Sequence, residues 1–278
     1  MLKILICKFC SMSEIINRNY RQEPISFWSE FECKHFGCRH HALEDFFKSQ
    51  WQRSEKSYGF LIYRWFLAIV FSSIFLVHII KYFGNGYWFI YFTHWGFTLC
   101  AVTTLTGALY VSTYHAAPAR MTSQTALVRS YWISSITNLV ISYAINILYW
   151  LTVFPYEKTG TRPLKVNTFF NIWSHVLPSL VNTIDHMVVA HPTRVFHFIY
   201  PVMFGMLYLL FAIIYYCVGG RDPLGRRFIY KVLDFSAKPL QGAVTVSMII
   251  CILMSLTILQ YFTYRMRVGI ARKAKRLQ

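Results

Sequence analysis

The chain has 278 residues, of which 55% are hydrophobic and 14% are charged, and its formal net charge is +17. This composition excludes a soluble protein with an outsized core, because helices with charged faces that recur at every turn are missing. It also excludes a nucleic-acid partner, since the basic residues collect in the connections between long apolar stretches, where they indicate membrane topology.

Six apolar stretches are each long enough to cross a bilayer, whose hydrocarbon core of about 30 Å requires roughly 20 helical residues. No water inside that core can satisfy an unpaired backbone amide, so each stretch is predicted to be a helix. The predicted fold class is all-α, a polytopic membrane bundle of six transmembrane helices. The predicted spans are Phe60–Ile80, Tyr87–His115, Tyr131–Phe154, Val166–Ala190, Phe196–Val218 and Leu240–Phe262.

The residues before the first span, 1–58, are predicted to form a cytosolic segment. Its end mixes charges with Phe46, Phe47 and Trp51, a pattern consistent with an interfacial helix that places Trp51 at headgroup level. The segment also contains thiols and imidazoles that could bind zinc, but the spacing of the cysteines is unlike that of a zinc ribbon. We therefore predict no metal ion and no cofactor. Zinc binding and reversible S-acylation of Cys7 or Cys10 are minor alternatives of equal weight. The thiols and imidazoles that could bind zinc are those of Cys7, Cys10, Cys33, His35, Cys38, His40 and His41.

The basic residues outside the spans predict the orientation of the bundle, residues 59–264. Lys and Arg number 18 on the side of the two termini and 9 on the other side, so both termini are predicted to be cytoplasmic. The fifth loop, with five basic residues, opposes this assignment. Residues 265–278 form a basic tail without acidic residues, which either stops the last helix or binds anionic lipids.

Polar residues in lipid indicate the faces of the helices that point into the bundle. In the fourth span five polar residues recur at spacings of three or four, which places them on one helical face. In the second span a stripe of small residues recurs in the same way, which suits close contact between helices. The polar face is Asn171, His175, Ser179, Asn182 and His186, and the small stripe is Thr93, Gly96, Cys100, Thr103 and Gly107.

Depth in the membrane decides which of these residues can form one site. Thr93 and His175 lie roughly 9 and 14 Å inside spans that begin on the same side, whereas His186 lies roughly 30 Å inside and belongs near the opposite surface. A neutral histidine within reach of a threonine hydroxyl could act as general base for attack on an ester carbonyl. The alternative is that Thr93 bonds the carbonyl of Phe89 and His175 holds two helices together.

Three further polar positions bear on this prediction. Asn171 and His94 are the candidates for a third group that orients the imidazole. Arg64 is predicted to extend to the membrane surface along its own alkyl chain. Asp185, near the end of its span, is predicted to pair with Arg194 or His186 or to cap the following loop.

Several segments resemble the rolling stone family of animal membrane proteins over roughly residues 43–262. They are FKSQWQ, YFTHWGFTLC, SHVLPSLVNTIDHMVV, HPTRVFHFIYPVMFGMLYLLFAIIYY, VGGRDPLGRRFIY and KVLDF. The chain departs from the family at Lys231, where Pro is usual, and at Phe235, where Trp is usual. The resemblance implies a role in myoblast-type cell fusion or adhesion, with other membrane proteins as partners.

Rolling stone proteins are in turn similar to the androgen-induced family of membrane hydrolases, which cleave fatty acid esters of hydroxy fatty acids. That resemblance implies Thr93, in YFTHWG, as nucleophile and His175, before VLPSL, as general base. The supporting polar face would be Asn171, Ser179, Asn182, Asp185 and His186. We therefore expect an integral protein of the plasma membrane or endoplasmic reticulum that acts in fusion or adhesion, or hydrolyses a lipid ester, with a small-solute transporter as third hypothesis.

Overall fold

The computed structural model describes residues 27–32, 37–155, 168–234 and 239–276, and the regular structure in them is helical. An isolated antiparallel bridge joins Ser49 to Val189. The helices are α1 (Tyr58–Tyr82), α2 (Phe92–Ala116), α3 (Pro118–Ser123), α4 (Thr125–Leu148), α5 (Thr168–His175), α6 (Leu177–Val188), α7 (Ile199–Cys217) and α8 (Pro239–Arg276). This architecture confirms the predicted all-α membrane bundle.

Five stretches of the described residues are long and apolar enough to cross a membrane. They are Tyr58–Tyr82, Phe92–Ala116, Thr125–Val153, Val195–Cys217 and Pro239–Ala274. The fourth predicted span differs, because two shorter helices, α5 and α6, replace a single long one. Residues 168–188 together would extend for about 30 Å at 1.5 Å per residue, so the pair is still long enough for one crossing.

Pro178 explains the break between α5 and α6. Proline has no N–H to donate to the carbonyl of Ser174 and its ring clashes with that carbonyl, so a helix cannot continue through it undisturbed. In the first turn of a helix the missing donor has no consequence, because the first amides have no intrahelical partner. Accordingly α6 begins at Leu177, with Pro178 in its first turn.

Helix α4 is the centre of the bundle. It packs against α2, α6, α7 and α8, and it carries the longest run of buried residues, from Ile136 to Ile145 with one interruption at Tyr143. The outer faces of α7 and α8 are apolar and exposed, as a lipid-facing surface requires. Examples are Met203, Leu207, Leu210, Met248 and Leu259.

The small-residue stripe of α2 allows the close contacts that its spacing predicted. A side chain at Gly96 would collide with Ile145 and Ile141 of α4. A side chain at Gly107 would collide with Arg64 and Tyr131. Both glycines therefore let a neighbouring helix approach the backbone of α2.

Residues 37–58 of the N-terminal segment are part of the bundle, contrary to the predicted interfacial helix. A short 3-10 turn covers Leu43–Phe47, and Phe46 and Phe47 are 0% and 1% exposed within the core. Trp51 is partly exposed, and its indole N–H donates to the carbonyl of Met187 at 2.7 Å. Packing in the core buries more apolar area than contact with the membrane surface would. Cys38 is a buried free thiol 3.1 Å from the hydroxyl of Tyr200, and Cys7, Cys10, Cys33 and His35 lie outside the described residues.

The predicted basic tail is a continuation of α8, which runs to Arg276. Arg267 is 0% exposed. Its guanidinium donates to the carbonyl of His186, in the last turn of α6, and to the carbonyl of His191, beyond the end of that helix. A cation at this position compensates the partial negative charge at the C-terminus of a helix. At least one of the tail's charges therefore serves the packing of α6 against α8 and does not face lipid headgroups.

Candidate functional site

Thr93 and His175 line the same cavity, as their matching depths predicted. The cavity has a volume of about 340 Å³ and lies where α2 begins and α5 ends. The side chains that give it a polar character are His78, Thr93, His94, Tyr149, His175 and Tyr230. We call this cavity the polar compartment.

Thr93 is the second residue of α2. A sharp turn precedes this helix. Asn85 and Gly86 have positive φ angles of 56° and 89°, and Tyr91 is extended before the helix begins. The backbone N–H of Phe92 donates to the hydroxyl of Tyr230 at 3.0 Å. Tyr230 also interacts with the side chain and the backbone amide of Thr93.

The alternative partner of Thr93, the carbonyl of Phe89, is used by another residue. This carbonyl accepts a hydrogen bond of 2.7 Å from the indole N–H of Trp95. Thr93 itself lines the cavity beside Tyr230.

His175 ends α5, directly before the break that Pro178 causes. Its ring stacks on Tyr149 with the centroids 3.4 Å apart and the planes 6° from parallel. Tyr149 begins a π-helical turn, Tyr149–Val153, at the end of α4, and such wide turns are frequent at functional sites. Nδ1 of His175 is buried and has no hydrogen-bond partner among the described residues.

Trp88 holds two further histidines of the polar compartment in opposite tautomers. Its indole N–H donates to Nδ1 of His78 at 2.9 Å, so the proton of His78 is on Nε2. Its carbonyl lies 2.5 Å from Nδ1 of His94, and because a carbonyl only accepts, the proton of His94 is on Nδ1. His94 therefore presents an Nε2 lone pair, the form of imidazole that can take up a proton, and it stacks on the Trp88 ring at 4.5 Å.

A second, apolar compartment of about 120 Å³ adjoins the polar one. Thr93 lies at their junction, because it lines both. The other shared residues are Tyr149, Thr152, Val153, Tyr230 and Val232. The walls come from α4, α7 and α8 and are mainly aliphatic. They include Ile145, Val202, Met206, Leu209, Ile249 and Leu253.

The other residues of the predicted polar face do not reach this cavity. Asn182 bonds Asn138 and Ser142 of α4 at 3.1 and 3.2 Å, and Ser179 accepts from Asn146 of α4 at 2.8 Å. His186 lies 3.1 Å from the carbonyl of Gln260 on α8 and lines a different, small cavity, as its depth predicted. Asn171 has a buried side-chain oxygen without a partner among the described residues, and it is not part of the cavity wall.

Arg64 and Asp185 form an ion pair, which corrects both predictions made for them. Arg64 is 2% exposed and does not extend to the membrane surface, and its guanidinium donates to Asp185 at 2.8 and 2.9 Å. Tyr63 donates to the same carboxylate at 3.0 Å. Arg194, the partner predicted for Asp185, lies 3.6 Å from Glu30 instead. Pairing inside the bundle avoids an isolated charge in the bilayer.

Sequence reasoning missed Tyr230, Trp88, His78 and Tyr149. Tyr230 lies in a predicted loop, and nothing in its local pattern indicates that the loop folds back onto α2. Trp88 and His78 belong to segments whose apolar character predicts only a span. Among the described residues no group of three or more His, Cys, Asp or Glu side chains is arranged to hold a metal ion.

A family model described as protein rolling stone matches residues 20–275. Protein rolling stone of Drosophila melanogaster is 30% identical over 256 residues, which cover 87% of this chain and 90% of that protein. No solved structure matches.

Proposed function

Because the chain belongs to the rolling stone family of membrane proteins, and because its cavity places a threonine between imidazoles and an apolar compartment, we propose that it hydrolyses a lipid ester. Thr93 is the nucleophile. The observation that carries the proposal is the position of Thr93 at the junction of the two compartments. An ester in that position would have its acyl chain among the aliphatic side chains and its carbonyl group against the hydroxyl.

The reaction that suits these groups is acyl transfer through a covalent intermediate. Thr93 Oγ attacks the carbonyl carbon while its proton passes to a neutral imidazole. The resemblance implies His175 in this role, and the oriented lone pair of His94 makes His94 the second candidate. The tetrahedral intermediate then collapses, and the alcohol leaves with that proton. Water, deprotonated by the same imidazole, attacks the acyl-threonine, and the carboxylic acid departs as the hydroxyl of Thr93 is restored.

The geometry favours this function over the fusion or adhesion role that the resemblance implies. An adhesion protein needs an accessible surface, whereas an enzyme needs a concave site with convergent polar groups and an apolar binding compartment. The broken helix α5–α6 is a feature that transporters share, but among the described helices it has no matching break in another part of the bundle.

We place the protein in the plasma membrane or the endoplasmic reticulum with both termini in the cytoplasm. The support is the twofold excess of Lys and Arg on the side of the termini. Two spans precede α4 and the α5–α6 pair, and two spans follow them. The number of crossings is therefore even, which keeps both termini on one side of the membrane. Accessibility of tags at either terminus to protease in sealed vesicles tests this orientation.

Labelling of the purified protein with a fluorophosphonate probe tests the enzymatic proposal. We expect wild-type protein to be labelled, and Thr93→Ala and His175→Ala to reduce the rate by at least about 100-fold, as expected for loss of a nucleophile or base. Thr113→Ala is the matched control, because Thr113 is on the same helix and bonds only the carbonyl of Leu109. Unlabelled wild-type protein with an intact thermal transition would contradict the proposal.

A further inference from the structure

The connection between α7 and α8 forms one wall of the site. We call residues 219–234 the lid. Arg226, Phe228, Lys231 and other lid residues line the polar compartment, and Leu233 lines the apolar one. Among the described connections between helices, the lid and the turn Tyr149–Val153 line both compartments. Access to Thr93 therefore depends on where the lid lies.

Residues 222–226 of the lid form a compact turn. The carboxylate of Asp222, which is 2% exposed, accepts from the backbone of Leu224 at 3.0 Å and from that of Arg226 at 2.7 Å. It also accepts from the guanidinium of Arg226 at 2.6 Å. The lid joins α7 through Gly219, whose φ of 80° few residues other than glycine adopt. A compact loop on a glycine joint can move without unfolding.

Tyr230 attaches the lid to the start of α2. Its hydroxyl oxygen accepts from the backbone N–H of Phe92, one of the first amides of the helix, which have no carbonyl partner within it. It also interacts with the hydroxyl and the amide of Thr93. Burial raises the pKa of Tyr230 to about 12, so the phenol is neutral and its oxygen is an acceptor comparable to a carbonyl oxygen.

From this geometry we infer that Tyr230 is a built-in competitor of the substrate, occupying the position beside Thr93 that the ester carbonyl oxygen takes during attack. The inference rests on the proposed function and adds its regulation. When the carbonyl carbon of the ester is within reach of Thr93 Oγ, its carbonyl oxygen lies next to the amides of Phe92 and Thr93. The oxygen of Tyr230 and the carbonyl oxygen of the ester cannot both occupy that position. The lid therefore has to withdraw Tyr230 before acyl transfer, and the closed lid is the resting, inhibited state.

Tyr230→Phe tests this inference, because it removes the oxygen and keeps the ring that packs in the cavity wall. Loss of one neutral hydrogen bond shifts an equilibrium by about 2- to 10-fold, so we expect fluorophosphonate labelling to become faster by that factor. Tyr200→Phe is the matched control, since it removes a hydroxyl that contacts Cys38 away from the cavity and is expected to leave the rate unchanged. Thr93→Ala combined with Tyr230→Phe is expected to abolish labelling.

A second readout does not depend on activity. Hydrogen exchange of the peptide that contains Phe92 is expected to be faster in Tyr230→Phe than in wild type or Tyr200→Phe. Faster exchange without any labelling would refute the proposed hydrolase and, with it, the competition. Labelling that requires Thr93 but is unchanged or slower in Tyr230→Phe would overturn the inference alone, and a slower rate would make Tyr230 part of the reacting machinery.

Discussion

At the scale of single residues, the charged pair and the neutral imidazoles inside the bilayer have separate partners. The Arg64 and Asp185 side chains neutralise each other between α1 and α6, and Tyr63 completes the coordination of the carboxylate. His78 and His94 instead have their tautomers set by the neutral Trp88. A site for ester hydrolysis needs neutral imidazoles, so the separation of the ion pair from the cavity is consistent with the proposed reaction.

The Arg64–Asp185 pair is expected to be strongly coupled. Asp185→Leu leaves the buried charge of Arg64 without its partner, and Arg64→Leu leaves the half-buried charge of Asp185 without its own, so each is expected to lower the free energy of unfolding, the former by about 3–5 kcal/mol. The double variant is expected to be less destabilised than the sum, because no lone charge remains. Thermal unfolding in detergent measures the effect, and additive losses would argue against coupling. Exposed Lys273→Leu is the control for removal of a charge.

At the scale of helices, the break at Pro178 gives the fourth span its two roles. Helix α5 brings His175 to the polar compartment, whereas α6 turns Ser179, Asn182 and Asp185 toward α1 and α4. One face of a continuous helix would have to serve both directions. The proline therefore separates the end of the span that lines the cavity from the end that packs against α1 and α4.

Pro178→Ala tests this division. The substitution restores a donor for the carbonyl of Ser174, so α5 and α6 are expected to join and to turn His175 away from its stack on Tyr149. We expect fluorophosphonate labelling to fall by at least about tenfold while the free energy of unfolding changes by less than about 1 kcal/mol. Pro201→Ala, in the first turn of α7, is the matched control. Unchanged labelling would show that the break does not position His175.

At the scale of the whole molecule, the described residues of the N-terminal segment and the basic end of α8 are parts of the bundle. His191 joins them, because its Nε2–H donates to the carbonyl of Phe46 at 3.0 Å and its own carbonyl accepts from Arg267 at 2.7 Å. Burial lowers the pKa of His191 to about 3, with the nearby cations Arg64 and Arg267 acting in the same direction. The loop after α6 is thus held between the two ends of the chain.

This histidine makes the stability of the whole bundle depend on pH. Between about pH 6.5 and pH 3 the unfolded chain binds a proton at His191 and the folded protein does not, so stability falls as the pH falls through this window. The slope approaches about 1.4 kcal/mol per pH unit, and at pH 7 both states are neutral and the effect is absent. Unfolding midpoints measured from pH 7 to pH 4 should fall less steeply in His191→Asn. His41→Asn, at an exposed position, should match wild type, and identical slopes for all three proteins would refute the assignment.

Much of the fold follows from local sequence. Apolar length decides which stretches enter a bilayer, since each span satisfies its own backbone, so the membrane class and the positions of the long helices were predictable. The rise per residue likewise brought Thr93 and His175 to a similar depth, and they line one cavity. The sharing of one face by Asn182, Ser179 and His186 also followed from helical spacing, although their partners did not.

What the sequence by itself determined is therefore the all-α membrane class and the approximate positions of the long apolar helices, because these depend on contacts within one helix. Only the tertiary structure decided that Arg64 pairs with Asp185, that Phe46 and Phe47 enter the core, and that Tyr230 reaches the start of α2. Each of these contacts joins segments far apart in the chain. Hydropathy and spacing carry no information about which helices become neighbours, so such partners are decided by packing.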